Sequence, residues 1–272
     1  MKKLVIYVIL VLMMLSLVSC SGENPPEEKE PMGRIITHED FVSEMSKYID
    51  LDDYDLESVE RDTSFDYTYT HRENGEIAPS ESNFQITVDG ISFAMPLTIE
   101  EFMDLGFEII SLNGEAADPM VLPTTARSAT LGIKTPKGNT FGVYAISEDF
   151  SLVPFDDLLV MQISCDFYEG SVKYNHGERK DAPDIQFFES ITGKSTAEDI
   201  IKELKTPKTI QFTQIFDKDI TTSVCMRFNF DFSNERYNGS VTIITYSVRD
   251  ETIERKSYVS SISYRIPVLV DA

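Results

Sequence analysis

The 272-residue chain has no tryptophan, three cysteines, three histidines and few basic side chains for its length. The absence of tryptophan disfavours the aromatic platforms on which sugars stack, although twelve tyrosines can substitute. The 24 lysines and arginines are outnumbered by 46 aspartates and glutamates, which gives a formal net charge of -22. Nucleic acid carries the same sign as this chain, so the composition argues against a nucleic-acid partner.

The chain also lacks the spacings that metal sites and nucleophilic catalysis require. His38, His71 and His176 stand far apart, and none has a metal-type partner at helical or short-loop spacing. No Gly-x-Ser-x-Gly run offers a nucleophile elbow. We therefore predict no catalytic residue, no metal ligand and no cofactor. With 46 acidic residues some pair lies close in any fold, so paired carboxylates for sugar hydrolysis stay an open alternative.

An acidic cluster and a Gly-Lys-Ser run have simpler structural interpretations. A calcium loop of the EF type needs glycine at its sixth position and glutamate at its twelfth, where a loop starting at Asp50 has Asp55 and Arg61. The run 192–195, Thr-Gly-Lys-Ser, ends like a phosphate loop, but such a loop needs a glycine where this chain has Phe188. We expect a solvated acidic loop, a capped helix start and no bound nucleotide.

The first twenty residues have the pattern of an export signal. Lys2 and Lys3 precede an uncharged apolar run over residues 4–18, and Leu17-Val18-Ser19-Cys20 ends it. This segment resembles the signal peptide and lipobox of bacterial lipoproteins, in which the cysteine becomes the lipid-modified N-terminus. A run of 15 residues is short for a helix that crosses a bilayer, which needs about 20. A cleaved signal without lipid, the other alternative, leaves Cys20 as an unexplained thiol.

The resemblance implies a signal peptide over residues 1–19 and acylation of Cys20, for example by palmitate. The protein is then held at a bacterial cell membrane, on the extracytoplasmic side. Residues 20–34 form the lipid anchor and a flexible linker, because residues 21–34 contain three prolines and almost nothing to bury. Residues 20–272 contain 22 basic side chains (24 minus Lys2 and Lys3) and 46 acidic ones, a charge of -24. That charge keeps the chain off the lipid surface apart from its anchor.

Residues 35–82 are predicted to form an N-terminal helix and an acidic segment. Thr37 followed by Asp40 marks a helix start, and the helical spacing of apolar residues continues to near Leu51. Within residues 52–82 the pattern indicates a single strand, over residues 65–70.

Residues 83–170 are predicted to form a first α+β module. Alternating residues on both sides of Asp89-Gly90 predict a hairpin with a two-residue turn. Thr98 and Glu101 form a capping box for a short helix that ends at Gly106. Strands are predicted over residues 107–112, 129–134, 140–146 and 158–167.

Residues 184–268 repeat this order as a second module. A strand over 184–188 and a turn precede a helix, which either Ser195 or Thr196 can open and Thr206-Pro207 ends. Four strands follow, near residues 210–216, 223–232, 240–248 and 257–266. The predicted turns between them include Asn238-Gly239 and residues 249–251.

Residues 191–207 carry a resemblance to a known family. The stretch Ile-Thr-Gly-Lys-Ser-Thr-Ala-Glu-Asp-Ile-Ile-Lys-Glu-Leu-Lys-Thr-Pro is similar to the signature Gly-x-Ser/Thr-x-x-Asp/Glu-Val-x-x-x-x-Gly-x-Pro, with Thr206 in place of the glycine before proline. That signature marks BamE-like (SmpA/OmlA) lipoproteins and beta-lactamase inhibitory protein. Those modules pack a helical hairpin on a four-stranded antiparallel sheet, and the inhibitor is a tandem of two. The resemblance implies a module that acts by contact.

Alternation within the strands assigns faces to the remaining cysteines. Cys165 shares the apolar parity of Ile163 and is predicted to be buried, whereas Cys225 shares the polar parity of Arg227 and is predicted to be exposed. We therefore predict two free thiols. The polar sheet faces are expected to be solvent-facing or to serve as a docking surface. The predicted outward residues are Cys225, Arg227, Asn229, Asp231, Ser261, Ser263 and Arg265.

The sequence thus predicts an α+β fold of two tandem modules, each a short helix region packed on an antiparallel meander sheet, after a signal peptide and a disordered tether. The expected function is non-catalytic protein binding or scaffolding, with another envelope protein or a secreted protein as the partner. One alternative is an envelope glycan or wall hydrolase that uses scattered carboxylates. The other is a solute-binding carrier, which is disfavoured because such carriers are built from parallel βαβ lobes.

Overall fold

The structure is a computed structural model that describes residues 37–73, 75–78, 80–117, 122–167, 180–188, 190–217, 220–234, 237–248 and 258–266. All of these residues belong to one compact unit, Ile35–Ala272. The predicted signal peptide and tether therefore lie outside the described residues. The described part is a mixed α and β fold with few helices, in which antiparallel sheets dominate.

Short helices and many strands follow one another along the described chain. The helices are α1 (His38–Met45), α2 (Ile99–Asp104) and α3 (Ala197–Leu204). The strands before α2 are β1 (Tyr54–Arg61), β2 (Ser64–His71), β3 (Glu76–Ile77), β4 (Gln85–Val88), β5 (Ile91–Ala94) and β6 (Leu97–Thr98). Those between α2 and α3 are β7 (Glu108–Leu112), β8 (Glu115–Ala116), β9 (Thr125–Ala126), β10 (Ser128–Lys134), β11 (Thr140–Ile146), β12 (Val153–Pro154), β13 (Leu159–Asp166), β14 (Ile185–Phe187) and β15 (Ile191–Thr192). The last four are β16 (Thr209–Asp217), β17 (Ile220–Ser233), β18 (Asn238–Val248) and β19 (Tyr258–Arg265).

Thirteen strands form one large sheet, in the hydrogen-bonded order β1-β2-β16-β17-β18-β19-β13-β11-β10-β7-β8. The two remaining members, β3 and β6, pair with β17 and β13. Strands β16 to β19 form one antiparallel meander, and β7, β10, β11 and β13 form another. The two meanders meet at their last strands, since β19 pairs antiparallel with β13. Strands from residues 83–170 and from residues 184–268 thus share one continuous sheet.

A four-stranded sheet joins the two hairpins in the order β15-β14-β4-β5. The hairpins meet at equivalent strands, because β4 and β14 are each the first strand of their hairpin. Asp89 and Gly90 form the turn between β4 and β5 with φ values of 52° and 89°, and a type I′ turn requires positive φ at both positions. The predicted hairpin is confirmed.

The buried Asp89 carboxylate ties this hairpin to the turn between β10 and β11. It accepts hydrogen bonds from Thr135 Oγ1 (2.5 Å), Asn139 Nδ2 (2.9 Å) and the backbone N–H of Asp184 (2.9 Å). Burial by itself raises the pKa of the Asp89 carboxyl, but the hydrogen bonds outweigh burial and hold that pKa below its ordinary value. One side chain therefore connects a hairpin, a turn of the large sheet and the start of β14.

The large sheet buries its inner face under the helices and the small sheet. Alternate residues of its longest strands are almost fully buried, namely Ile210, Phe212, Val224, Met226, Phe228, Phe230, Phe232, Val241 and Ile243. Phe41 of α1 packs on Phe212 with ring centroids 5.0 Å apart. Phe232 contacts the rings of Phe84 and Phe188, beside the two hairpins, at 5.2 and 5.4 Å. Full burial of such a ring contributes about 1.5–3 kcal/mol.

Each helix begins with a reciprocal capping box, in which the threonine hydroxyl and the acidic side chain each satisfy a backbone N–H. The pairs are Thr37 with Asp40, Thr98 with Glu101, and Thr196 with Asp199. The helix start at Thr37 and the capping box of Thr98 with Glu101 are confirmed predictions. For α3 the structure selects Thr196, because Ser195 Oγ instead accepts a hydrogen bond from the N–H of Thr192.

Three local predictions are wrong. Helix α1 ends at Met45 instead of near Leu51, because the N–H groups of Tyr48 and Ile49 both donate to the Met45 carbonyl and close the chain into a turn. Asn238-Gly239 begins β18 instead of forming a turn, and a Cβ at Gly239 would lie 2.2 Å from the Phe232 ring. The sequence pattern does not predict strand β1, because its residues after Tyr54 are exposed and its extended conformation is held by hydrogen bonds to β2.

No disulfide joins Cys165 and Cys225, as predicted. Cys165 is buried on the inner face of β13, and Cys225 is half-buried on the other face of β17. Period-two alternation thus assigned both faces correctly.

Candidate interaction surface

The predicted lipidation site, Cys20, lies outside the described residues, as does His176. Within the described ranges no group of three or more His, Cys, Asp or Glu side chains is placed to hold a metal ion. The acidic cluster near residue 50 has a local structural role, because the Asp50 carboxylate accepts the Asp52 N–H (3.0 Å) and caps a 3-10 turn.

His38 is built into an aromatic cluster at the start of α1. Its ring stacks on Tyr67 with centroids 3.6 Å apart, and its Nε2 lies 2.6 Å from the Tyr69 hydroxyl oxygen. Burial lowers the pKa of His38, and the nearby Glu39 carboxylate only partly offsets that shift. These contacts hold α1 against the sheet.

Residues 192–195 form a tight turn instead of a phosphate cradle. Thr192 Oγ1 accepts a hydrogen bond from the Lys194 N–H (3.2 Å), and Ser195 Oγ accepts one from the Thr192 N–H (3.0 Å). A Cβ at Gly193 would lie 2.5 Å from the ring of Phe167, so this glycine makes room for the end of β13. The turn is explained by packing and by local hydrogen bonds.

The outer face of the large sheet, opposite the buried phenylalanines, carries a row of small residues across ten strands. The strand register places one member on each strand, side by side. This small-residue row consists of Ser111, Gly132, Gly142, Ser164, Ser263, Thr242, Asn229, Thr209, Thr70 and Asp55. Nine intervals of about 4.8 Å make it about 43 Å long. All ten residues are half-buried or exposed.

Two glycines lie under serine side chains at one end of the row. A Cβ at Gly132 would lie 2.2 Å from Ser111 Oγ, and a Cβ at Gly142 would lie 2.8 Å from Ser164 Oγ. A larger side chain at either glycine would displace its serine neighbour. In this part of the sheet the side chains of the row therefore project little above the backbone and pack closely against one another.

Hydrogen bonds fix the middle of the row. Thr242 Oγ1 donates to Asn229 Oδ1 (2.7 Å), and Asn229 Nδ2 donates to Thr209 Oγ1 (2.6 Å). Gln162, one position outside the row, donates from Nε2 to Ser263 Oγ (3.0 Å). The side chains of three neighbouring strands are thus held in one arrangement.

The next outward positions along each strand carry mostly longer polar side chains. On one side these are Lys134, Thr140, Asp166, Ile244, Arg227, Gln211 and Thr68. On the other side they are Thr130, Tyr144, Gln162, Arg265, Ser240 and Asp231. The row is therefore the floor of a shallow polar trough.

The charge of this face differs from that of the whole chain. Across β10, β11, β13, β17, β18 and β19, the described outward side chains include three cations, Lys134, Arg227 and Arg265, and two anions, Asp166 and Asp231. The chain as a whole carries a formal charge of -22. The other strands of the row add the anions Asp55, Glu57, Asp66 and Glu108 and the cation Arg61. The near balance of charge therefore belongs to the six central strands, which can approach another protein without strong like-charge repulsion.

The sequence predicted part of this face and missed its main feature. Arg227 and Arg265 are exposed, Cys225, Asn229, Asp231 and Ser263 are half-buried on the outer face, and the side chain of Ser261 lies outside the described ones. The row itself depends on which residues of distant strands stand side by side. The available signal was the small size of the outward residues in β10, β11 and β13.

Comparison with known proteins adds no further constraint, because no family model, no curated protein and no solved structure matches this chain. Among the described residues, no helix is long and apolar enough to cross a membrane.

Proposed function

We propose that the chain is a lipid-anchored, extracytoplasmic binding protein without a catalytic role, and that the outer face of its large sheet takes a protein partner. The observation that carries this proposal is the polar trough on that face, whose six central strands carry three cations and two anions. Its residues are held by strand pairing and by side-chain hydrogen bonds. A face that is already ordered loses little side-chain freedom on binding.

We further propose that residues 83–170 and 184–268 are tandem α+β modules. The same order of hairpin, capped helix and four main strands in both segments supports this division. The pairing of equivalent strands, β13 with β19 and β4 with β14, also supports it. The trough then crosses from one module to the other through the pair Ser164 and Ser263.

Anchoring rests on the basic start, the apolar run and Cys20, together with the proline-containing linker. Two or more acyl chains are needed for firm attachment, since one chain alone gives marginal binding. We expect Cys20→Ala to move the protein from the membrane fraction to the soluble fraction of the producing cells. Ser21→Ala is the matched control and should stay with the membrane. Retention of the Cys20→Ala protein would contradict the anchor.

The binding face is tested by a photo-crosslinking amino acid at Thr242 in the full-length, membrane-bound protein. We expect one discrete protein adduct, whose partner is then purified. Ser263→Tyr, which places a large side chain in the row, should weaken the affinity of that partner at least about tenfold. Ser58→Tyr, on exposed β1, is the control and should leave affinity unchanged.

Two results would overturn the binding proposal. One is the absence of any adduct from position 242 in cells that contain correctly anchored protein. The other is release of soluble products from purified wall polymer by the full-length protein, with no effect of Ser263→Tyr on that release. The second result would favour the hydrolase alternative.

A further inference from the structure

Two large apolar side chains project from the loop between β11 and β12. Phe150 is 59% exposed and Leu152 is 62% exposed, more than any other large hydrophobic residue in the described ranges. They lie two positions apart, and we call them the apolar tip. Single exposed hydrophobic residues are common on protein surfaces, so the conformation and the surroundings of this pair decide its meaning.

The loop holds the apolar tip in one conformation. The Phe150 N–H donates to the Ser147 carbonyl (3.3 Å), Ser147 Oγ donates to the Ser151 carbonyl (2.8 Å), and the Ser151 N–H donates to Asp149 Oδ1 (2.9 Å). Phe150 has a φ of 60°, which is unfavourable for a bulky side chain. The fold thus maintains a strained residue whose ring stays in solvent.

Acidic residues flank the apolar tip along the chain. Residues 147–158 contain Glu148, Asp149, Asp156 and Asp157, all exposed, and no basic residue. Arg127, between β9 and β10, is the basic residue next to this loop, since its carbonyl accepts the Ser147 N–H, so the segment has four carboxylates and one guanidinium. Anionic lipid headgroups repel such a loop, whereas lysine and arginine side chains attract it.

We propose that the apolar tip is a docking element for a protein partner that offers an apolar pocket rimmed with lysine and arginine. Phe150 and Leu152 fill the pocket, and the flanking carboxylates pair with its rim. A preorganised aromatic anchor in a pocket is typical of the residues that dominate binding energy at interfaces. The site shares no residue with the trough on the outer face, so it stands apart from the proposed binding of that face.

The first experiment distinguishes a protein pocket from a lipid surface. Because the chain has no tryptophan, Phe150→Trp creates a single reporter in the full-length protein. We expect its emission to stay that of a water-exposed indole when vesicles of phosphatidylcholine, or of phosphatidylcholine with phosphatidylglycerol, are added. A blue shift with either vesicle would overturn the proposal in favour of membrane contact.

The second experiment identifies and reconstitutes the partner. A photo-crosslinking amino acid at position 150 in the producing cells should give a discrete adduct that the same group at Leu56, an equally apolar exposed site on β1, does not give. The purified partner should bind Phe150→Ser/Leu152→Ser at least about tenfold more weakly than the unchanged protein. Leu56→Ser/Val59→Ser is the matched control, because both residues are about half exposed.

Salt dependence and an independent variant complete the test. Affinity should fall several-fold between about 50 mM and about 500 mM salt, because screening weakens the carboxylate contacts. Ser263→Tyr should leave this affinity unchanged, so failure at the trough and failure at the apolar tip are distinguishable. An unchanged affinity of the Phe150→Ser/Leu152→Ser protein, with an unfolding midpoint like that of the unchanged protein, would overturn the proposal.

Discussion

The two hairpins of the small sheet occupy equivalent places, but different interactions hold them. The β4–β5 hairpin is fixed by the buried Asp89 carboxylate and its three donors. The β14–β15 hairpin is fixed by apolar contacts, with Phe188 packed on Phe232 and Gly193 against Phe167. Ring packing supports the β4–β5 hairpin too, since Phe93 of β5 contacts Phe102 and Phe107, but its turn adds the buried Asp89 carboxylate. We therefore expect the two hairpins to respond differently to mutation and to pH.

The largest effect is expected at Phe232, whose ring packs beside both hairpins. Phe232→Ala removes a fully buried ring and leaves a cavity, so we expect a loss of about 3–5 kcal/mol in the free energy of unfolding. Urea denaturation followed by circular dichroism measures it. Phe232→Leu keeps apolar contact and should lose less. Full stability of Phe232→Leu would show that the ring contacts with Phe84 and Phe188 matter little and that apolar volume alone is needed at this position.

Asp89→Ala should cost about 1–3 kcal/mol, because it leaves buried donors from Thr135, Asn139 and Asp184 without their acceptor. Asp104→Ala, at an exposed site on α2, is the control and should change stability little. The same urea titration at neutral pH measures both. A neutral outcome for Asp89→Ala would mean that water replaces the carboxylate in the network.

The pH dependence of this effect has a definite sign. The folded-state pKa of Asp89 lies below its ordinary value, so its contribution to stability is complete above the unfolded-state pKa of about 3.9. That contribution falls as the pH drops through this value toward the folded-state pKa. The stability difference between the unchanged protein and Asp89→Asn should therefore shrink below about pH 4. A difference that grows on acidification would contradict the assignment.

Helices α2 and α3 begin with the same kind of capping box, one within residues 83–170 and one within residues 184–268. Thr98→Ala and Thr196→Ala each remove the threonine side of a capping box and should each cost about 1 kcal/mol. Because α2 and α3 belong to different halves, the double variant should show the sum of the two losses. Chemical denaturation of all three proteins measures this. Strong non-additivity would mean that the helices are energetically coupled.

The smallest predicted change is a gain. Thr245 is fully buried on β18, and its Oγ1 has no hydrogen-bond partner among the described residues. Thr245→Val keeps the shape and removes the buried hydroxyl, so we expect stability to rise by about 1 kcal/mol. Ser195→Ala provides the opposite case, since Ser195 Oγ is buried with a partner and its removal should destabilise. A loss on Thr245→Val would indicate that the hydroxyl is satisfied.

Local sequence patterns predicted the three helices and most of the long strands. The Asp89-Gly90 turn, the capping boxes of α1 and α2 and the faces of β17 follow from short-range geometry, and the structure confirms them. Strand β1 was missed because an exposed edge strand has little apolar alternation and depends on its partner. The Asn-Gly pattern predicts a turn at Gly239, whereas the small size of this residue makes room for the Phe232 ring within the sheet.

The sequence alone determined the helix starts, most of the long strands with their buried parity, and the strongly acidic charge, because each depends on neighbouring residues or on composition. The tertiary structure decided the rest. Three features bring together residues that are distant along the chain. They are the joining of two meanders at β13 and β19, the Asp89 network and the small-residue row. Register between such strands is set by packing and by hydrogen bonding across the sheet, which no local pattern encodes.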